Sequence, residues 1–401
     1  MQIKKLSKKQ KEILRFIKTA DRALICDGSV RSGKTSIMSV AFLVWAMANF
    51  DRTNFAICGK TVQSVERNVL RPLMEVEGLP FSMRYKVSTR MLVIRCDNRE
   101  NNFYLFGGKD ESSYALIQGI TLAGVLFDEV ALMPQSFVQQ ANARTITYSN
   151  AKLWFNCNPE NPNHYFYKEW IKNPKPNTKH IRFYLEDNPI LSYEQIERVK
   201  EDYTGVFYQR YILGEWVAAE GIVYPMFDKA KHVKEVSPHY NSTYYISMDY
   251  GTLNPTAMGL WCVYDGKAHM LKEYYYSGRD TQKQKTDEEY YTDLEEFAEG
   301  YEIERVIIDP SAASFKETIR RHGRFSVQDA NNSVVDGIRL TGSLLNAGRI
   351  TFDPSCEHTF EEFGLYRWDE KSQTDAVIKE NDHAMDQIRY MMATIMRREI
   401  R

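Results

Sequence analysis

At 401 residues the chain is long enough for two or three domains, each with its own core. Its 52 Lys and Arg against 53 Asp and Glu leave a net charge of −1, which excludes a global field that draws in nucleic acid; any such contact must come from local basic surface. The cysteines (26, 58, 96, 157, 262 and 356) form no CxxC pair, which excludes a zinc site or disulfide scaffold and fits a reduced, intracellular protein. The start, Met1-Gln2-Ile3-Lys4-Lys5, lacks the apolar core of a signal peptide. Lys4, Lys5, Lys8, Lys9, Lys11, Arg15 and Lys18 then face a single Glu12, as a basic contact surface or as a solvated helix face.

A helix is expected to begin at Ser7-Lys8-Lys9-Gln10. Gln10 is placed either to read an adenine or to complete a capping box with Ser7. Arg22–Cys26 reads as a short buried strand, and the next turn is Gly28-Ser29-Val30-Arg31-Ser32-Gly33-Lys34-Thr35, a full match to GxxxxGK[ST]. An apolar helix from Lys34 to about Phe50 follows; it is too short to span a bilayer and carries Ser39, so it reads as a core helix and not a membrane segment. Strand, glycine-rich turn and helix N-terminus aim backbone N–H groups at one spot, which suits a triphosphate. Lys34 is expected to reach the β- and γ-phosphates, and the Thr35 hydroxyl to hold Mg²⁺.

Asn54–Cys58 is the next strand, followed by a helix over about Val62–Val76 and a hairpin from Met91–Cys96 and Asn102–Phe106. Leu122–Phe127 is an apolar strand ending in Asp128-Glu129. Beside a phosphate loop, Asp128 can hold Mg²⁺ and Glu129 can polarise the attacking water as a general base. Lys152–Cys157 is a further strand, and Asn158 after it either senses the γ-phosphate or simply starts a turn with Pro159. The alternation predicts an α/β domain with a mostly parallel sheet between helices.

Around Glu215–His239 the pattern breaks, and the boundaries are set at 1–215, a linker over 216–240, and 241–401. The second half opens with a strand ending in Asp249. Strands over Ala257–Tyr264 and Ala268–Tyr276 follow, joined by the hairpin pair Asp265-Gly266. A helix over about Asp287–Glu299, a strand ending in Asp309, and a late helix from about Asp382 to Arg397 complete it. This order brings Asp249, Asp309 and Asp386 to the edge of one mixed sheet, where carboxylates can hold two Mg²⁺ or Mn²⁺ ions for phosphodiester cleavage. His383, three residues before Asp386, shares its helix face as a metal ligand or proton carrier. Each acid also has a plainer reading: a turn starter, a strand cap and a surface helix acid.

A complete phosphate loop with strand-Asp-Glu, followed by a ribonuclease-H-like α/β nuclease domain, resembles the large terminase subunit of tailed bacteriophages. The likeness covers nearly the whole chain. It rests further on Met248–Ala257 (MDYGTLNPTA), on His383-x-x-Asp386, and on Glu186-Asp187-Asn188-Pro189. It implies a P-loop ATPase motor that uses ATP and Mg²⁺ to move double-stranded DNA into a procapsid, and a two-metal endonuclease that cuts concatemers. It assigns Lys34, Thr35, Asp128 and Glu129 to ATP, and Asp249, Asp309, His383 and Asp386 to the nuclease metals. The implied partners are DNA, a small terminase subunit, a portal ring and a procapsid in the host cytoplasm, with a ring of motor subunits at work and a monomer compatible with isolation. Many relatives carry Arg-Gly before the second nucleotide strand, where this chain reads Gln118-Gly119; Arg31 and Arg144 are the alternative arginine fingers. Two other readings stay open: a helicase or repair translocase with a nuclease domain, and an ATP-gated DNA-binding module with an inactive nuclease fold.

Overall fold

Apolar-centred segments of five or six residues, buried over all or nearly all of their length, fix the central strands, as they must in a parallel sheet covered on both faces. The structure, a computed structural model, describes residues 5–251, 254–278, 281–372 and 374–397. Lys4 of the basic N-terminal group, and Thr252 and Leu253 of the 248–257 run, lie outside the described residues. The chain divides into two units, Met1–Arg198 with Val206–Ala218 and Val199–Gly205 with Ala219–Arg401.

Among the described residues of the first unit, eight strands form one sheet: β1 (Ala23–Gly28), β2 (Asn54–Gly59), β3 (Ser82–Lys86), β4 (Met91–Cys96), β5 (Arg99–Gly107), β6 (Gly124–Asp128), β7 (Lys152–Asn156) and β8 (Thr178–Phe183). Their order is β3-β4-β5-β2-β6-β7-β1-β8. From β5 to β8 all neighbours pair in parallel, and β3–β4–β5 form an antiparallel edge. The expected hairpin is therefore present and carries an extra edge strand, β3. The helix Lys34–Asn49 is apolar on all sides because it is buried on nearly all of them. Its Phe42 and Trp45 lie 6.0 and 6.1 Å from the Trp154 ring on one sheet face. Phe127, Phe155, Phe166 and Trp170 fill the other face. The result is the expected P-loop architecture, with β1, β6 and β7 ending side by side beneath the loop.

Six strands form the second sheet among the described residues: β9 (Thr243–Asp249), β10 (Thr256–Tyr264), β11 (Lys267–Tyr276), β12 (Ile303–Ile308), β13 (Val327–Asp329) and β14 (Ile350–Phe352). Its order is β13-β12-β9-β10-β11-β14. β9, β10 and β11 are antiparallel, and β12 and β13 continue parallel to β9. This is the ribonuclease-H-like arrangement. The β10–β11 turn puts Asp265 at φ 47° and Gly266 at φ 65°, the left-handed pair that a two-residue hairpin loop needs. Met248 of β9 is in register with Ile308 of β12, so Asp249 and Asp309 follow at the ends of neighbouring parallel strands. The helix His383–Met391 lies over β9 and β10 and continues as a π-helical segment, Met392–Met396.

Candidate functional site

The phosphate loop needs its glycines for two different reasons. Gly28 has φ 124°, and a Cβ there would stand 1.9 Å from the Phe183 carbonyl oxygen, so no larger residue fits. Gly33 has φ 81° at the N-cap of the Lys34–Asn49 helix. The loop is also tied from outside. Ser29 N donates to Phe183 O (2.9 Å), Val30 N to Tyr211 O (2.9 Å), and Ser29 Oγ to Ile212 O. Just before it, the fully buried Asp27 accepts from Trp216 Nε1 (2.9 Å) and pairs with His180 (2.7 Å) and Arg182 (3.4 Å). Burial works against this carboxylate, but the His180 hydrogen bond, the charges of His180 and Arg182, and Trp216 outweigh it and hold its pKa below the ordinary value.

Lys34 is folded back onto its own loop. Its ammonium donates to Ser29 O (2.6 Å), Gly28 O (3.0 Å) and Asn158 Oδ1 (3.2 Å), and burial pulls its pKa down to about 8. Thr35 Oγ1 donates to Asp128 Oδ1 at 3.2 Å. Burial raises the Asp128 pKa against the hydrogen bonds of Asn156 and Thr35. Glu129 turns the chain with φ 59°, a left-handed conformation that costs a non-glycine residue about 1 kcal/mol and recurs at functional sites. A pocket of about 500 Å³ opens here, lined by Val30–Ser36, Glu129, Asn156, Cys157, Asn158, Asn188 and Leu191.

Arg31 borders this pocket, exposed and at φ 53°, while its carbonyl accepts from Asn188 Nδ2 (2.6 Å). Arg144 does not line it; it closes the helix Gln135–Ala143. Gln10 does not line it either. Its Oε1 accepts from Ser7 N (3.0 Å) while Gln10 N donates to Ser7 Oγ (3.2 Å), so the capping box is the role present, and its Nε2 faces Gly33 O (3.5 Å). Sequence reasoning passed over Asn156, and it singled out Asn188 only as part of the 186–189 run, not as a pocket residue. Asparagine after a strand is ordinary turn chemistry, and only the fold reveals what stands opposite.

In the second unit, His383 Nδ1 lies 2.8 Å from Asp249 Oδ2. Burial raises the Asp249 pKa, and the charges of Asp386 and Asp382 add to it against the His383 hydrogen bond. For His383, burial disfavours the charged ring, but the hydrogen bond and charge of Asp249, with Asp382 and Glu362, raise its pKa. Asp386 pairs with Arg389 Nη2 (2.8 Å) and with Lys379 Nζ (3.4 Å), which also reaches Asp382 (3.3 Å). Asp309 accepts from Ser311 N (2.7 Å) and Tyr390 Oη (3.0 Å). Burial raises the Tyr390 phenol, and Asp249, Asp386 and Asp309 add to the shift, so all three acids bear on one hydroxyl. An all-carboxylate donor set of this kind suits a hard divalent ion. As the side chains stand, however, no group of three His, Cys, Asp or Glu residues is assembled to hold one among the described residues. The expected acids come together at one sheet edge, each engaged with a protein donor or cation. Arg389 and Tyr390 carried no sequence signal, since both read as ordinary residues of an amphipathic helix.

Residues 25–231 match the family described as terminase large subunit, T4likevirus-type, N-terminal. A structure of the large terminase from a thermophilic bacteriophage is 47% identical, covers 98% of this chain and 100% of that chain, and superposes with a TM-score of 0.93. The same phage's large terminase in complex with ATP-gamma-S is 46% identical over 98% of this chain and 100% of that one, with a TM-score of 0.90. The terminase large subunit of Escherichia phage T5 is 24% identical over 292 residues, 68% of this chain; the chain spans 65% of that relative's length.

Proposed function

Because the chain belongs to the terminase large subunit family, we propose that it is an ATP-driven motor that moves double-stranded DNA into a procapsid and cuts concatemers with its second unit. The observation that carries the reading is the pocket lined by Lys34, Thr35, Glu129 and Asn158, with Asp128 hydrogen-bonded to Thr35 behind it. ATP would lie along Gly28–Thr35, with Lys34 exchanging the loop's own carbonyls for phosphate oxygens and Glu129 taking a proton from the attacking water. Thr35 and Asp128 would hold Mg²⁺. Asn158, bonded to Lys34 at 3.2 Å, would register phosphate loss. In this reading 1–215 is the motor, 216–240 a connecting stretch and 241–401 the nuclease. Arg31 at the pocket rim is the better-placed arginine finger, and Arg144 the other candidate.

In the second unit Asp249, Asp309 and Asp386, with His383, would hold two Mg²⁺ or Mn²⁺ ions. Bound ions of this kind neutralise charge on the attacking and leaving oxygens of a phosphodiester. DNA contacts would fall mainly on phosphates and be salt-dependent. A small terminase subunit, a portal and a procapsid in the host cytoplasm are the partners this function requires, in a ring of motor subunits. No helix among the described residues is long and apolar enough to cross a membrane. A second reading is favoured by the pairing of Asp249 with His383 and of Asp386 with Arg389 and Lys379: an ATP-gated DNA-binding module whose nuclease fold is inactive.

DNA-stimulated ATP hydrolysis and Mn²⁺-dependent plasmid cleavage, measured on the full chain, separate these readings. Lys34→Ala is expected to lower ATP turnover by at least about a hundredfold, since it removes the cation facing the transferred phosphate, while leaving cleavage in place. Asp309→Ala should do the reverse. Unchanged cleavage by Asp309→Ala rules out the metal assignment, and no cleavage by wild type with Mg²⁺ or Mn²⁺ selects the binding module. Strand displacement would indicate a helicase.

A further inference from the structure

Asn156 ends β7, in register with Asp128 on β6 and with Cys26 on β1, directly beneath the phosphate loop. Its side chain is 3% exposed. Its Nδ2 lies 2.7 Å from Thr35 Oγ1 and 2.6 Å from Asp128 Oδ1, so one amide donates to both groups assigned above to the nucleotide's Mg²⁺. The amide orientation follows from charge. Turned over, it would set an oxygen against the carboxylate; as it stands, Oδ1 is buried without a partner. That is an unusual concession for a buried polar atom, and it indicates that the two Nδ2 contacts decide the pose.

The hydroxyl of Thr35 has one hydrogen and two lone pairs. Its hydrogen goes to Asp128 at 3.2 Å, and one lone pair accepts from Asn156. One lone pair is left. Without Asn156 the hydroxyl rotor could turn to another acceptor, and Asp128 would lose the nearer of the two donors that oppose its burial.

We propose that Asn156 is a positioning residue for nucleotide-bound Mg²⁺, locking the Thr35 hydroxyl and the Asp128 carboxylate in the pose that leaves each a free lone pair for the ion. The proposal rests on the ATP reading above. It assigns Asn156 a part separate from that of Asn158, which bonds Lys34. Groups that orient metal ligands from behind typically change metal affinity by about 10- to 100-fold when removed.

The test is ADP and ATPγS binding to the full chain by calorimetry, in EDTA and across a Mg²⁺ titration, for wild type, Asn156→Ala and Asn156→Leu. Leucine keeps the branched shape of the side chain and fills the space without its hydrogen bonds, so the reading survives if the alanine variant unfolds. The expected result is an EDTA-state Kd within about twofold of wild type and a Mg²⁺ midpoint raised roughly tenfold or more. Unchanged Mg²⁺ midpoints in variants that still bind nucleotide in EDTA would overturn the proposal and leave Asn156 a packing residue. Wild type that binds no nucleotide in either condition would overturn the ATP reading, and this proposal with it.

Discussion

Asp27 has no exposed surface, yet it remains charged because His180, Arg182 and Trp216 all face it. A carboxylate whose folded pKa lies below its unfolded value stabilises the fold above the unfolded pKa of about 3.9, and that contribution is lost as pH falls through the folded pKa. Replacing it should cost about 2–3 kcal/mol at neutral pH; the figure sits below that for a fully buried pair because His180 and Arg182 are partly exposed. Urea unfolding of wild type and Asp27→Asn at pH 7 and pH 3 checks this: the gap should be wide at pH 7 and narrower at pH 3, below the unfolded pKa of about 3.9. An equal gap at both would mean that the charge plays no part. At this scale the sequence was uneven in what it revealed. Lys34, Thr35 and Asp128 could be singled out as candidates in advance, the first two from the spacing of a phosphate-loop pattern and the third from its place at the end of an apolar strand, and the structure brings Thr35 and Asp128 into contact. Asp27, Asn156 and Tyr390 could not, since the partners that define their roles lie far from them along the chain: Trp216 is 189 positions from Asp27, Thr35 is 121 from Asn156, and Asp309 is 81 from Tyr390.

The helix His383–Met391 is capped by a residue from another helix. Its N-cap, Asp382, makes no side-chain cap bond; instead Glu362 of the helix Glu357–Leu365 accepts from Ala384 N (2.7 Å) and Met385 N (3.3 Å) and from Tyr275 Oη (2.9 Å). Those two N–H groups have no intrahelical partner, so Glu362→Ala should destabilise the second unit by about 1–3 kcal/mol. It should also speed hydrogen exchange at Ala384 and Met385. Glu362→Gln keeps an acceptor oxygen and should lose less; equal exchange rates in the alanine variant would show that the cap is idle. Elements with a long apolar run or a turn signature were readable in advance, including the strands around the phosphate loop and the Asp265-Gly266 hairpin. The edge strands β3 (SMRYK) and β8 (TKHIRF) were not. With one side toward solvent they carry charged and polar residues that read as loop. Three-residue β13 and β14 are too short to leave any periodicity.

Over the whole molecule, the order of strands and acids was enough to anticipate a phosphate-loop sheet followed by a ribonuclease-H-like one. Composition could not reveal that residues 199–205 group with the second unit before the chain returns to the first at 206–218. That returning segment supplies Tyr211 O to Val30 N, Ile212 O to Ser29 Oγ, and Trp216 Nε1 to Asp27, besides the buried Arg210 that pairs with Glu160 at 3.2 Å. A protease site engineered between Asp202 and Tyr203 would therefore not yield two independent halves. The carboxyl-terminal fragment would keep a strip of itself bound into the amino-terminal one, as in a split protein whose pieces complement each other. The nicked chain should run as a single species on a sizing column at micromolar concentration and come apart only in denaturant. Two separate peaks under native conditions would show that those bonds are too weak to replace one peptide link.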